Sequence, residues 1–199
     1  MKIALCATHL FNMTLPQDRD YIGVDHGVEE LLKQGITPRF AIGDFDSLQN
    51  RKSLEDLNIQ ILPERKDVTD THAAIEYAIS KGYDEIELYG VTGGRLDHFF
   101  AVMCLLEKYQ DVSIKVIDQQ NCIQLLKPGI HHIDNQGYYY FSLFALNESV
   151  LSISQAEYTL DHYLLKRDDP LCVSNEVKGE YTIIENNENI ILVQSIDKH

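Results

Sequence analysis

The chain has 199 residues, which is enough for one domain or two small ones. It carries 17 Lys and Arg against 31 Asp and Glu, and the formal charge of −14 disfavours nucleic acid as a partner, because phosphate backbones are bound by basic faces. Hydrophobic residues make up 44% of the sequence, which supports a packed core and excludes wholesale disorder. No apolar run reaches the roughly 18 residues of a spanning helix, so we expect no membrane association.

The start of the chain and its cysteines favour a cytoplasmic protein. The apolar run Ile3–Ala7 is short for a signal peptide and is followed by polar sequence, so it indicates a first β-strand. No two cysteines form a CxxC pair, which favours reduced, mostly buried thiols over a metal or redox site. The cysteines are Cys6, Cys104, Cys122 and Cys172.

The N-terminal part of the chain alternates between short β-rich runs and helical stretches. The strands are predicted at Ile3–Ala7, Tyr21–Val24, Phe40–Ile42, Ile59–Leu62, Ile86–Tyr89 and Ile114–Ile117. The helices are predicted at Val28–Lys33, Leu48–Leu57, Asp70–Lys81 and Leu96–Tyr109. This alternation predicts an N-terminal doubly wound, mainly parallel α/β domain over residues 1–126.

The pattern changes near Lys127, after which the sequence shows no convincing helix. Strands are predicted at Tyr138–Phe144, Leu151–Ile153, Tyr158–Leu165, Tyr181–Ile184 and Ile190–Val193. Residues 127–199 are therefore expected to form a small C-terminal antiparallel β-sandwich. A unit of this size buries little of its surface alone, so we expect it to pack on the first domain or on a second copy of the chain.

Acidic and glycine-rich loops follow four of the predicted parallel strands. In chain order they contain Asp25; Asp44 and Asp46; Lys66, Asp67, Thr69 and Asp70; and Gly93, Gly94, Arg95, Asp97 and His98. Ligands of open parallel sheets bind outside the carboxyl ends of the strands. The four loops therefore predict one site along that edge of the sheet.

The chemistry of these loops indicates a divalent cation and a phosphate ligand. Asp67 or Thr69 could simply cap a helix, and the Gly93-Gly94 pair could be only a tight turn. However, several carboxylates that converge on one edge repel each other, and oxygen ligands suit Mg²⁺. A glycine turn before a helix N-terminus, with Lys66 and Arg95 nearby, suits phosphate oxygens. Neither a Walker A motif nor a GxGxxG fingerprint is present, so the sequence predicts an Mg²⁺-dependent polyphosphate site of another kind.

Three ordered motifs resemble those of the thiamine pyrophosphokinase family. The family patterns GDFDS, KDxTD and GGRxDH match Gly43–Ser47, Lys66–Asp70 and Gly93–His98 at similar intervals. The later Ser174-Asn175-Glu176 resembles the family's SNE element, so the resemblance covers nearly the whole chain.

The resemblance implies transfer of a pyrophosphoryl group from ATP to the hydroxyethyl oxygen of thiamine, with AMP as the second product. It implies a homodimer in which the α/β domain of one chain meets the sandwich of the other. The implied Mg²⁺ ligands are Asp44, Asp46, Asp67 and Asp70. The implied ATP- and phosphate-binding residues are Asp25, Lys66, Thr69, Gly93, Gly94 and Arg95. The implied thiamine-binding residues are Asp97, His98, Ser174 and Asn175.

The same resemblance gives catalytic roles to Asp46, Asp70, Asp97 and Arg95. Either Asp97 or Asp70 could accept the alcohol proton, and the sequence does not choose between them.

Two segments depart from the family pattern. Many members have a DGG-like turn where this chain has Asp25-His26-Gly27, and Gln155–Leu160 keeps only the Tyr and Leu of a GxKYPL-like stretch.

Two other functions share these motifs. A related pyrophosphokinase acting on another alcohol, such as a pterin, would keep the phosphate motifs and differ in the C-terminal pocket. A non-catalytic nucleotide- or thiamine-binding sensor would usually lose the metal carboxylates, whereas this chain keeps all four.

Overall fold

The computed structural model describes residues 1–8, 10–43, 60–62, 67–135 and 137–197. The chain divides into two compact units, Met1–Gln119 and Gln120–His199. The predicted boundary, between residues 126 and 127, lies later than this division. The reason is β7 (Asn121–Leu126), which pairs antiparallel with β13 (Ile190–Ser195) and so belongs to the second unit.

The first unit contains six described strands that pair in parallel. They are β1 (Lys2–Cys6), β2 (Tyr21–Val24), β3 (Phe40–Ile42), β4 (Gln60–Leu62), β5 (Glu85–Tyr89) and β6 (Ser113–Ile117). Their order across the sheet is β4-β3-β2-β1-β5-β6, with each neighbouring pair parallel. All six predicted strands are confirmed to within about one residue at their ends, as is the α/β class.

Three described helices accompany these strands: α1 (Gly27–Lys33), α2 (Asp70–Ser80) and α3 (Leu96–Lys108). The fourth predicted helix, Leu48–Leu57, lies outside the described residues. Apolar side chains of the parallel strands are almost fully buried, among them Ile3, Leu5, Ile22, Ile86 and Leu88. Such continuous apolar runs are typical of strands covered on both faces. Within the described part of the chain, no helix is long and apolar enough to cross a membrane.

The second unit is a sandwich of antiparallel strands, as predicted. Its further strands are β8 (Gly129–Ile133), β9 (Tyr140–Ala145), β10 (Glu148–Ser154), β11 (Leu160–Lys166) and β12 (Thr182–Asn186). β13 lies between β7 and β9, and the other sheet has the order β11-β10-β12-β8. Leu143 and Leu192 of one sheet share a core cluster with Leu151 and Ile184 of the other. Residues 120–135 and 137–197 contain no helix.

The sequence analysis did not predict β7 or β8 as strands. The segment that forms β7 lies at the end of the predicted first domain. In β8, two adjacent histidines separate Ile130 from Ile133, so the strand lacks the regular alternation of apolar and polar residues. The cysteines agree better with expectation. All four are free; Cys6, Cys122 and Cys172 are buried, and Cys104 is exposed.

Candidate active site

The strand order of the first unit creates a crevice at the carboxyl ends of β1 and β5. These two strands are neighbours, and from them the chain continues to opposite sides of the sheet. The N–H of Ala7 donates to the carbonyl oxygen of Tyr89 at 2.8 Å, just where both strands end. Such a reversal of strand order is the usual ligand position in open α/β sheets.

A cavity of about 520 Å³ lies at this crevice. Its wall includes Thr8 after β1, Asp25 after β2, Thr69 before α2, and Gly94 and Arg95 before α3. The predicted residue His98 also lines it. The structure therefore brings together residues from three of the four predicted loops.

The remaining predicted residues fall into three groups. Asp67, Asp70, Gly93 and Asp97 lie in the same loops and first helical turns as the lining residues. Asp44, Asp46 and Lys66 lie outside the described residues. Ser174 and Asn175 belong to the second unit.

The side chain of Asp25 lies against Gly43, the first residue of the GDFDS motif. Its backbone has a positive φ of 51°, and its N–H donates to the carbonyl oxygen of Ile42 at 2.9 Å. A Cβ atom on Gly43 would lie only 2.4 Å from Oδ1 of Asp25. Glycine at position 43 therefore leaves the space that the Asp25 carboxylate occupies.

The turn Asp25-His26-Gly27 joins β2 to α1 and packs against the end of β1. A Cβ atom on Gly27 would lie 1.9 Å from the carbonyl oxygen of Cys6, so only glycine fits there. His26, the position that departs from the family pattern, lines the cavity. Burial raises the pKa of the neighbouring Cys6 thiol to about 12, which leaves it protonated and unreactive at neutral pH.

Thr69 is the N-cap of α2, as one of the simpler interpretations predicted. Its hydroxyl oxygen accepts a hydrogen bond from the N–H of His72 at 3.2 Å. Thr69 and Thr71 both line the cavity, so the first turn of this helix lies at the site. The positive dipole end of this 11-residue helix favours an anion at this place.

The loop from β5 to α3 turns on two glycines with positive φ, Gly90 at 73° and Gly93 at 76°. The hydroxyl of Thr92 donates to Oδ2 of Asp118 at 2.7 Å, which ties the loop to the residue after β6. Sequence reasoning missed Asp118, although an acidic residue directly after a parallel strand is the same signal that identified Asp25.

Arg95 and Asp97 form an ion pair at the start of α3. Nε of Arg95 donates to Oδ1 of Asp97 at 3.1 Å, and a second guanidinium nitrogen donates to Oδ2. The hydrogen bond from Arg95 holds the pKa of the Asp97 carboxyl below its usual value. The ion pair therefore favours the charged form of the Asp97 carboxylate.

In the second unit, Asn175 is 4% exposed and its amide is largely used in structural hydrogen bonds. Its Oδ1 accepts from the N–H groups of Tyr158 at 3.0 Å and Glu176 at 2.9 Å, and its Nδ2 donates to the Tyr158 carbonyl at 2.7 Å. Its backbone also pairs with Phe141 of β9. Asn175 thus fixes the Tyr158 segment beside Ser174, whose φ is 60°.

Both halves of the chain match models of known protein families. Residues 12–117 match the catalytic domain of thiamin pyrophosphokinase, and residues 130–191 match its vitamin B1 binding domain. A thiamine pyrophosphokinase from Bacillus subtilis (strain 168) is 34% identical over 189 residues, which cover 89% of this chain and 87% of that protein.

Solved structures give the same result. The crystal structure of thiamine pyrophosphokinase from Bacillus subtilis has a TM-score of 0.88 at 31% identity, with 100% of each chain covered. The structure of thiamin pyrophosphokinase from Geobacillus thermodenitrificans also has a TM-score of 0.88, at 29% identity, covering 100% of this chain and 99% of that one. At 17% identity, the protein from Candida albicans shares the fold, with a TM-score of 0.83 over 98% of this chain and 89% of its own. Together with the matched motifs and the cavity at the crevice, these similarities show that the chain belongs to the thiamine pyrophosphokinase family.

Proposed function

We propose that this chain transfers a pyrophosphoryl group from ATP to the hydroxyethyl oxygen of thiamine, producing thiamine diphosphate and AMP. The observation that carries this proposal is the cavity at the β1–β5 crevice, which lies at the N-termini of both α2 and α3. Two helix N-termini and an arginine suit a polyphosphate chain. The similarity of residues 130–191 to a vitamin B1 binding domain supports thiamine as the acceptor.

The first unit is proposed to hold ATP. The phosphates would contact Gly93, Gly94, Arg95 and Thr69, with Lys66 from the KDxTD motif. Arg95 is 75% exposed at its side chain, so its guanidinium can contact phosphate oxygens while it remains close to Asp97. The second unit is proposed to bind thiamine through Ser174 and Asn175, with His98 and Asp97 contributed by an α/β unit.

Mg²⁺ is proposed as the cofactor, held by Asp44, Asp46, Asp67 and Asp70. The donor set fits a hard cation, because it consists of carboxylates with no thiol or imidazole. No cluster of three metal-binding side chains occurs within the described residues, which exclude Asp44 and Asp46. The Asp25 carboxylate lies against Gly43, at the start of the GDFDS motif, and would offer a further oxygen ligand there. When bound, the ion would neutralise charge on the phosphoryl oxygens.

The chain's own residues then position the reactants and accept a proton. Pyrophosphoryl transfer depends mainly on in-line placement of the alcohol and on stabilisation of phosphoryl charge. Arg95 and the N-terminus of α3 supply fixed positive charge. Asp97, in the first turn of α3 beside the cavity, is one proposed proton acceptor, and Asp70, in the first turn of α2, is the other.

The complete site is proposed to form in a cytoplasmic homodimer, with the α/β unit of one copy beside the sandwich of the other. The observation in favour is that the proposed ATP and thiamine residues lie in different compact units. Equilibrium sedimentation tests this assembly, and a monomer at the concentration of the activity assay would contradict it.

One incubation tests the reaction itself. Purified protein is mixed with thiamine, ATP and Mg²⁺, with and without EDTA, and the products are separated by chromatography. Thiamine diphosphate and AMP in equal amounts, formed only with metal, are the expected result. ADP with thiamine monophosphate would refute pyrophosphoryl transfer. Absence of product with thiamine, but turnover with a pterin alcohol, would transfer the assignment to another acceptor.

A further inference from the structure

The loop between β1 and β2 contains a tight turn with an unusual residue in it. Phe11 and Asn12 both have positive φ, of 47° and 66°, and the N–H of Met13 donates to the carbonyl oxygen of Leu10 at 2.9 Å. Leu10 to Met13 therefore form a type I′ turn. Asn suits such a turn, whereas a bulky residue like Phe rarely adopts this conformation. Strained backbone of this kind persists only where the surrounding structure holds it, and it concentrates at functional sites.

Side chains from two other segments hold the turn in place. Nε2 of Gln34, just after α1, donates to the carbonyl oxygen of Met13 at 2.9 Å, and Oε1 of the same residue accepts from the N–H of Leu15 at 2.9 Å. The amide of Gln119, after β6, donates to the carbonyl oxygen of Phe11. The position of Phe11 is thus fixed from both sides.

The Phe11 ring gains little from core burial, because the residue is 55% exposed. Its ring instead lies against Gly93. A Cβ atom on Gly93 would lie 2.4 Å from Cε2 and 3.0 Å from Cζ of Phe11. The ring therefore fills the space beside Gly93, at the point where the backbone of the β5–α3 loop has a φ of 76°.

We propose that Phe11 is a positioning residue for this reaction, whose ring holds the Gly93 turn in the conformation that places Gly94 and Arg95 in the cavity wall. The proposal rests on the proposed role of the turn in binding ATP phosphates. A glycine pair is intrinsically free to adopt many conformations, and ordering it on binding costs affinity. A ring packed on the turn orders it already in the free protein, so ATP binding does not have to order it.

Steady-state kinetics of the full chain test the proposal with Phe11→Ala and Phe11→Leu. Phe11→Ala is expected to raise KM for ATP about tenfold, since small misplacements of a phosphate-binding group are costly, while KM for thiamine stays unchanged. Phe11→Leu refills most of the space and is expected to recover most of the loss. Asn12→Gly is the matched control: it keeps the ring and suits a φ of 66°, so wild-type constants are expected. Thermal unfolding verifies that each variant is folded.

A double-mutant cycle gives a second readout. Gly93→Ala introduces a methyl group against the Phe11 ring, and it strains the backbone at φ 76°. In the Phe11→Ala background only the strain remains, so Gly93→Ala is expected to cost less there than in the wild type. Additive losses would overturn the proposal, as would an unchanged KM for ATP in Phe11→Ala or an equal loss in Asn12→Gly. A wild-type chain that forms no thiamine diphosphate would refute the proposed function instead, so the two failures are distinguishable.

Discussion

The guanidinium of Arg95 donates hydrogen bonds to both carboxylate oxygens of Asp97, two residues further along the chain. Arg95 lies at the N-cap position of α3 and Asp97 in its first turn, beside a cavity that Arg95 itself lines. The pair therefore places the cation that we propose for phosphate binding next to the carboxylate that we propose as a proton acceptor. Because both side chains are exposed, the pair contributes little to the stability of the fold.

The first prediction concerns the ionisation of Asp97. Its folded pKa lies below the usual value of 3.8 because Arg95 stabilises the charged form. Arg95→Gln removes that charge, so the pKa of Asp97 is expected to rise and the carboxylate to protonate at a higher pH. A ¹³C NMR titration of the Asp97 carboxyl measures the change. Arg39→Gln, which removes the partner of Asp20 instead, is the matched control, and an unchanged midpoint in Arg95→Gln would contradict the assignment.

The second prediction concerns the proposed metal and phosphate carboxylates. Asp46→Asn and Asp70→Asn each keep the side-chain shape but remove a negative charge, so kcat/KM is expected to fall by at least about 100-fold. The far-ultraviolet circular dichroism spectrum should not change. Asp161→Asn serves as the control, because its side chain is 92% exposed in the sandwich unit. Near-normal turnover in both test variants would refute these roles.

The third prediction concerns the turn that carries Asp25 and His26. Gly27→Ala would place a methyl group 1.9 Å from the Cys6 carbonyl oxygen, so α1 and the end of β1 must move apart. The free energy of unfolding is expected to fall by about 3 kcal/mol, as for an overpacked core site. Gly35→Ala provides the comparison. Gly35 has a φ of 72° but nothing within 4 Å of its Cβ position, so it should lose only about 1 kcal/mol through backbone strain. Equal losses in urea unfolding would show that the close approach to Cys6 is unimportant.

The fourth prediction concerns a buried ion cluster around Glu87 of β5, which is 7% exposed. Nζ of Lys2 lies 2.6 Å from Oε1, the hydroxyl of Tyr89 donates to Oε2 at 2.8 Å, and Arg19 also donates to Oε2. Burial by itself would raise the pKa of Glu87, but these partners outweigh it and hold the pKa below the usual 4.5. Glu87→Gln is expected to cost about 3 kcal/mol at neutral pH, because it removes the buried carboxylate from its ion pairs with Lys2 and Arg19 and leaves Arg19 only the pair with Asp18.

The pH dependence of that variant follows from the sign of the shift. A carboxylate with a lowered folded pKa stabilises the fold above its unfolded pKa, and the contribution is lost as the pH falls through the folded value. Wild-type stability should therefore decline as the pH falls below 4.5, and Glu87→Gln should lack this part of the decline. Urea unfolding across this range measures both. Parallel curves for the two proteins would show that Glu87 does not contribute.

The strands and helices of the first unit could be predicted from the sequence, because the spacing of apolar residues and the capping residues at helix ends define them. Apolar runs predicted β1 to β6, and α2 begins after the Thr69 cap, as one interpretation of that residue predicted. Carboxylates directly after parallel strands, such as Asp25, predicted the edge of the sheet at which the cavity lies. The three matched motifs then identified the family, since their residue types and spacing lie in the sequence itself.

Long-range pairings were decided only by the tertiary structure. The adjacency of β1 and β5, which creates the crevice, and the pairing of β7 with β13, which moves the domain boundary, join segments far apart in the chain. Arg19 meets Glu87 across 68 positions. No local pattern records such contacts, because the burial and hydrogen bonding of the whole fold select them. The packing of Phe11 on Gly93 has the same origin: the sequence shows a glycine pair and a distant phenylalanine, and only the folded chain places the ring against the turn.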